Sequence, residues 1–248
     1  MLYGMYVSAA GALANSYRQE VVSNNLANVE TVAFKRDLAL LQSRRTQAQQ
    51  TGQNRYTTAD LEGIGGGLFA QRTFTDFTPA VLEHTDNRFD LALSGEGFFQ
   101  VLKDKQIQYT RDGKFTLDER NRLVTISENL PVLDAQGKEI VLDPTRPFLI
   151  NEAGVIDQNG VQIGVINFAD TGLLRKAGDN LYLAAGEAQA KLVNTPVKQG
   201  FLEDSNVNAI DQLTAMIQAQ RLFQTNISLL QIQDETLNGA VNKLGSIS

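Results

Sequence analysis

The sequence has no cysteine, and it has a single histidine, His84, among its 248 residues. Without cysteine there is no disulfide, no thiol nucleophile and no thiolate metal site, and the chain makes no demand on the redox state of its compartment. One histidine excludes a multi-histidine metal centre and leaves a Ser-His-Asp triad a single candidate base. His84 sits among Glu83, Thr85 and Asp86, a local polar cluster that reads as a surface turn. Positive charge is also in short supply. The formal net charge of −6 argues against nonspecific nucleic-acid binding and against attachment to anionic membranes, since phosphates call for a basic footprint. Lys35-Arg36 and Arg44-Arg45 are the only basic clusters near the N-terminus, and they read as solvated or partner-facing. No apolar run approaches the length of a membrane span, so stable membrane insertion is not expected.

Motifs with chemistry fail one by one. Leu93-Ser94-Gly95 resembles part of a nucleophile elbow, but Ala92 stands where the first glycine is required. Gly63-Ile64-Gly65-Gly66-Gly67 lacks a helix after it, being followed by the strand-like run Leu68-Phe69-Ala70-Gln71-Arg72; it reads as a hinge or turn. Asp157-Gln158-Asn159-Gly160 lacks the remaining ligands of a calcium loop. The carboxylate pairs Asp118-Glu119 and Glu203-Asp204 fall at turns or helix starts. The formal sequon Asn226-Ile227-Ser228 falls inside a helical pattern. The expectation is a protein with no catalytic residues, no cofactor and no metal.

What the chain does have is two helical ends and a β middle. Residues 2–29 contain no proline, and a stripe at helical spacing runs Ala10, Leu13, Tyr17, Val21 and on into Asn24 or Asn25 and Asn28. The helix should fade at Glu30-Thr31-Val32, where β-branching restricts the side chains. The opening MLYGMYVSAAGALANSYRQE lacks a positive n-region, and Ser8, Asn15 and Ser16 interrupt any apolar stretch. It is therefore not expected to be cleaved as a signal peptide. At the other end, Leu213, Met216, Gln220, Phe223, Ile227, Leu230, Asp234, Leu237, Val241 and Leu244 recur at alternating three- and four-residue steps. That is a heptad seam with two polar interruptions. Asp204-Ser205-Asn206 supply candidate N-cap side chains before it.

Between the ends, short alternating runs such as Phe89-Leu91-Leu93, Phe99-Val101 and Ile107-Tyr109 lie between hairpin signals. The signals are Gly95-Glu96-Gly97, Asp112-Gly113, Gln136-Gly137 and Asn159-Gly160. Residues 43–67 are rich in Gln, Thr and Gly without periodicity and read as a linker or long loop. The expected fold class is α+β, with paired N- and C-terminal coiled-coil-like helices and a central antiparallel all-β domain. Its expected division is 1–36 helical, 37–84 linker with some strand, 85–195 β, and 196–248 helical. Burying one seam does not offset the conformational entropy of ordering so long a helix. The C-terminal helix therefore needs the N-terminal one, with Tyr17 and Val21 opposite its seam, and further helices from other subunits.

Three segments together resemble the bacterial flagellar rod and hook proteins. NNLANVETVAFKR at 24–36 is similar to the Asn-Asn-Leu-Ala-Asn motif of these axial proteins, followed by Thr, Phe and Lys. RFDLALSGEGFFQV with YTRDGKFTLDERNRLV resembles the start of their β domain. LEDSNVNAIDQLTAMIQAQRLFQTNISLLQIQDETLNGAV resembles their C-terminal helix. Ala33 departs from the pattern, standing where the family usually has glycine before Phe-Lys.

The resemblance implies a basal-body rod subunit, proximal or distal, with no enzymatic activity. Its implied partners are other copies of itself, other flagellar rod and hook proteins, and the type III export apparatus through which it would reach the periplasm. The helical ends would form an inner tube. The residues expected to carry assembly are Tyr17, Val21, Asn24, Asn25, Leu26, Asn28, Phe34, Leu213, Met216, Phe223, Ile227, Leu230, Leu237 and Val241. The amides of Asn24, Asn25 and Asn28 continue the core stripe of the first helix, and the expectation is that they hydrogen-bond between subunits and fix register. The competing reading is a periplasmic or surface binding module that uses its β domain for recognition.

Overall fold

A computed structural model describes residues 2–43, 67–186 and 189–245. The fold is α+β, with one long helix at each end and antiparallel strands between them. It forms two compact units. One comprises Met1–Ala27, Asp37–Phe74 and Asn208–Ser248; the other comprises Asn28–Arg36 and Thr75–Val207. The β unit is thus drawn wider than 85–195, taking in a short N-terminal segment and the residues up to Val207. Nearly all of the expected loop 43–67 lies outside the described residues.

In the helical unit, the first helix spans Leu2–Ala27 and the second Ala209–Gly245. The first stops at Ala27, a little before the β-branched residues expected to end it. Asn208, not the expected Asp204-Ser205-Asn206 run, caps the second. Its Oδ1 accepts from the backbone N–H of Ile210 at 2.9 Å and of Asp211 at 3.3 Å. These are the amides that a helix leaves without partners. A two-stranded ribbon, Leu41–Ser43 against Leu68–Ala70, belongs to the same unit.

The β unit is organised around a six-stranded antiparallel sheet. Its order is Leu174–Gly178, Leu181–Ala184, Gln106–Thr110, Phe98–Lys103, Val165–Phe168, Ala190–Leu192. The strand Phe98–Lys103 is buried on both faces. Period-2 alternation sends Phe99 and Val101 into a large core with Leu91, Phe115, Leu123 and Ile163. Phe98 goes to the other side, into an aromatic core with Phe168 and Tyr182. Shorter ladders pair Leu91–Leu93 with Val197–Gln199 and Leu82–His84 with Phe201–Glu203. The second ladder ties the start of the unit to its last strand.

Candidate assembly surfaces

The two helices of the helical unit run antiparallel and meet through small and amide side chains. Gly4 lies against Gln233, Gly11 lies against Asn226, and Asn25 Nδ2 donates to Gln212 Oε1 at 3.3 Å. The less exposed positions of the C-terminal helix recur as Gln212, Met216, Ala219, Phe223, Asn226, Leu230, Gln233, Leu237 and Ala240. The seam expected from sequence shares Met216, Phe223, Leu230 and Leu237 with this set. Four of its alternate positions are exposed and give way to the residue before each, with Gln212 for Leu213, Ala219 for Gln220, Gln233 for Asp234 and Ala240 for Val241, while Asn226 joins Ile227, both half-buried. The cause is the partner surface. The first helix offers Gly4, Ser8, Gly11 and Asn15 at this spacing, and a glycine notch takes an amide where no branched side chain has to fit. Leu213 and Val241 are turned out, at 47% and 66% exposed, while Ile227 is half-buried beside the seam. The side chain of Leu244 lies outside the described residues.

The apolar residues left out of the pairing are large. Ile210, Leu213, Ile217, Leu222, Leu229, Ile232 and Val241 are all exposed on the C-terminal helix, as are Tyr3, Tyr6, Val7 and Leu13 on the N-terminal one. A helix that is apolar on several faces belongs in an environment with several neighbours. The expectation sets Tyr17 and Val21 opposite the C-terminal seam. The Tyr17 hydroxyl donates to the Gln71 carbonyl at 2.9 Å, and Val21 is buried. Leu26 is half-buried and Asn24 exposed. Asn25 is only 2% exposed and spends its amide inside the chain. Its Nδ2 donates to the Asp37 carbonyl, and its Oδ1 accepts from the Asp37 N–H, both at 2.8 Å. Asn25 is therefore a clamp on the chain just beyond the first helix, whereas the sequence suggested a bond between subunits.

The rest of the Asn-rich motif belongs to the β unit and builds a buried charge cluster there. Asn28 Oδ1 accepts from the Thr31 hydroxyl at 3.2 Å, which closes the turn after the helix. Ala33 then takes φ +55°, and its N–H donates to the Glu203 carbonyl at 2.8 Å. The left-handed turn that glycine would make is kept with alanine, at a cost of about 1–2 kcal/mol.

Phe34 is buried, with Lys176 Nζ 4.3 Å from its ring centroid. Lys35, Arg111 and Glu203 are at most 2% exposed. Lys35 Nζ meets Glu203 Oε1 at 2.6 Å and donates to the Thr78 carbonyl at 2.8 Å. Arg111 Nη1 lies 3.2 Å from Glu203 Oε2 and donates to the Gly95 carbonyl at 2.7 Å. Glu203 Oε1 also accepts from the Ala80 N–H at 2.9 Å. Burial pushes the pKa values of Lys35 and Arg111 down, and the charge of Glu203 opposes that shift. Alongside, Arg36 chelates Asp76 Oδ2 through Nε at 3.0 Å and Nη2 at 2.8 Å.

No periodicity marks such a cluster, so sequence reasoning missed Arg111 and Glu203. The only signal was a lysine inside an apolar Val-Ala-Phe-Lys run. Among the described residues no group of acidic and histidine side chains could hold a metal ion, and no helix is long and apolar enough to cross a membrane.

Comparison with known proteins gives the same order of parts. Residues 5–35 match the family described as flagella basal body rod protein. Residues 92–163 match the flagellar hook protein FlgE/F/G D1 domain, and 198–243 match the flagellar basal body rod FlgEFG protein C-terminal family. The chain is 34% identical to the flagellar basal-body rod protein FlgG of Bacillus subtilis, over 98% of this chain and 99% of that one. It is 30% identical to the flagellar basal-body rod protein FlgF of Caulobacter vibrioides, over 98% of both. With FlgG of Buchnera aphidicola subsp. Acyrthosiphon pisum the identity is 32%, over 96% of this chain and 98% of that one.

Proposed function

This chain belongs to the flagellar basal-body rod protein family and is a structural subunit of that rod; from that premise we propose that its terminal helices stack with those of neighbouring copies into a tube. The observation that carries the proposal is the exposed apolar set on the C-terminal helix, from Ile210 to Val241. Seven large side chains face away from the helix it already has, which suits a coiled-coil-like bundle of more than two members. Contacts of this kind between copies are heterologous and do not close, so they grow a helical filament able to carry torque. The exposed members of the expected assembly set, Asn24, Leu213 and Val241, join that surface. Family membership supports the remaining parts of the reading: assembly with other rod and hook proteins, delivery through the flagellar export apparatus, and a periplasmic position without signal cleavage.

The test is a chain that lacks 209–245, expressed in place of the full chain. The β unit ends at Val207, so it is expected to fold, while rod assembly and swimming are lost. Normal swimming with the truncated chain would overturn the proposal and favour a binding module acting through its β unit.

A further inference from the structure

The contacts between the two helices repeat with a fixed offset. Gly4 with Gln233 and Gly11 with Asn226 are one heptad apart on both helices, and Asn25 with Gln212 is two heptads further on. By the same offset the layer between them falls at Arg18 and Ala219, the second of which is fully buried. Three of these four layers thus place an amide of the C-terminal helix against the N-terminal one.

At two of the layers the opposing residue is glycine, and the fit leaves no room for more. A Cβ at Gly11 would come within 2.9 Å of Asn226 Oδ1, and one at Gly4 within 3.0 Å of Gln233 Nε2. Gln233 Oε1 is buried with no hydrogen-bond partner among the described residues, so this layer costs stability and does not supply it. Large apolar side chains were available one position away, at Leu213 and Ile227, and the pairing does not place them in the layers.

We propose that these polar layers set the specificity of the helix pair. They make the N-terminal helix accept its own chain's C-terminal helix, antiparallel and in one register, and keep the apolar faces for neighbouring copies. The physical reason is the difference between alternatives. A shift of one heptad would set Gly11 against Gln233 and Asn25 against Ala219 in one direction, or Gly11 against Ala219 and Gln212 against Arg18 in the other, and either way the hydrogen bond from Asn25 to Gln212 is lost. An apolar seam tolerates such slips, whereas an amide in three of the four layers penalises them, as polar core positions do in coiled coils. The inference deepens the rod-subunit reading but concerns pairing inside one chain.

The absence of cysteine makes the test clean. In the full chain, the pair Arg18→Cys with Ala219→Cys reports the native register, and Arg18→Cys with Asn226→Cys reports a slip of one heptad. With the other layers unchanged, the first pair should close to an intrachain disulfide and the second should not. In a Gln212→Leu/Gln233→Leu background the second pair should also close, within about threefold of the yield of the first. This is expected without loss of helix, because apolar residues of similar volume replace buried polar ones at little cost. Gly11→Leu attacks the same device from the other helix, and is expected to lower closure of the native pair at least fivefold. Exclusive native closure in the leucine background, or slipped closure with the layers intact, would overturn the proposal. Closure is read on a denaturing gel whether or not tubes form, and tube formation by the unchanged chain is scored separately. Failure of the register proposal and failure of the rod reading are therefore distinguishable.

Discussion

Glu203→Gln is expected to cost the β unit about 3–5 kcal/mol, the usual penalty for removing one partner of a buried ion pair. Among the described residues, Glu203 is the only carboxylate in an ion pair with either of two buried cations, Lys35 and Arg111. Glutamine keeps the shape and some of the hydrogen bonding, but it leaves both cations uncompensated. In urea unfolding of the full chain, the midpoint of the β unit should fall by about 2 M, taking a denaturant slope of about 2 kcal/mol/M. Adding Lys35→Met should restore part of the loss, since it removes one of the stranded charges. A fall worth less than about 1 kcal/mol, or no recovery in the double variant, would show that the cluster is not compensated as described. Lys35 and Ala33 hold the segment that follows the first helix, and Glu203 lies on the last strand before the second.

Replacing Leu222, Leu229 and Ile232 together with serine should act in the opposite way, sparing the isolated chain and abolishing assembly. These side chains are 46%, 43% and 59% exposed, so about half of each remains to be buried by a neighbour. At about 1.5–3 kcal/mol for a fully buried side chain, the three contribute roughly 2–4 kcal/mol to each subunit's contacts. That is about 30- to 1,000-fold in an association constant. The urea midpoint of the β unit should be unchanged within error, while the critical concentration for tube formation rises by at least 30-fold and swimming is lost. Assembly at the normal concentration would mean that this face is not buried between copies.

Much of the architecture was legible from residue pattern alone. The helical ends, the antiparallel middle and its hairpin punctuation all carry local signals of period or turn chemistry. Some turns escaped because they use no glycine. Asp104-Lys105 and Asp179-Asn180 form tight hairpin turns with positive φ at both residues. The C-terminal seam was read one position out at its alternate layers because hydrophobicity was taken as the guide to pairing. The larger residues face outward there, and the partner helix offers glycine and amide in their place. Sequence periodicity cannot distinguish a face buried in its own chain from a face kept for another copy, since both are apolar.

The Asn-rich stretch shows the same limit in a different form. Its amides were correctly placed on the core side of the helix at Asn25, but the partner proved to be the backbone of Asp37 a few residues on. The buried trio of Lys35, Arg111 and Glu203 is assembled from three distant parts of the chain, so apart from the lysine in its apolar run nothing local announces it.

Electron cryo-microscopy of rods in purified basal bodies tests the central claim most directly. The account predicts both terminal helices in the inner wall of the rod, antiparallel within each subunit, with Leu222, Leu229 and Ile232 buried against neighbouring copies. A rod without this chain, or one in which those three residues face open solvent, would contradict it.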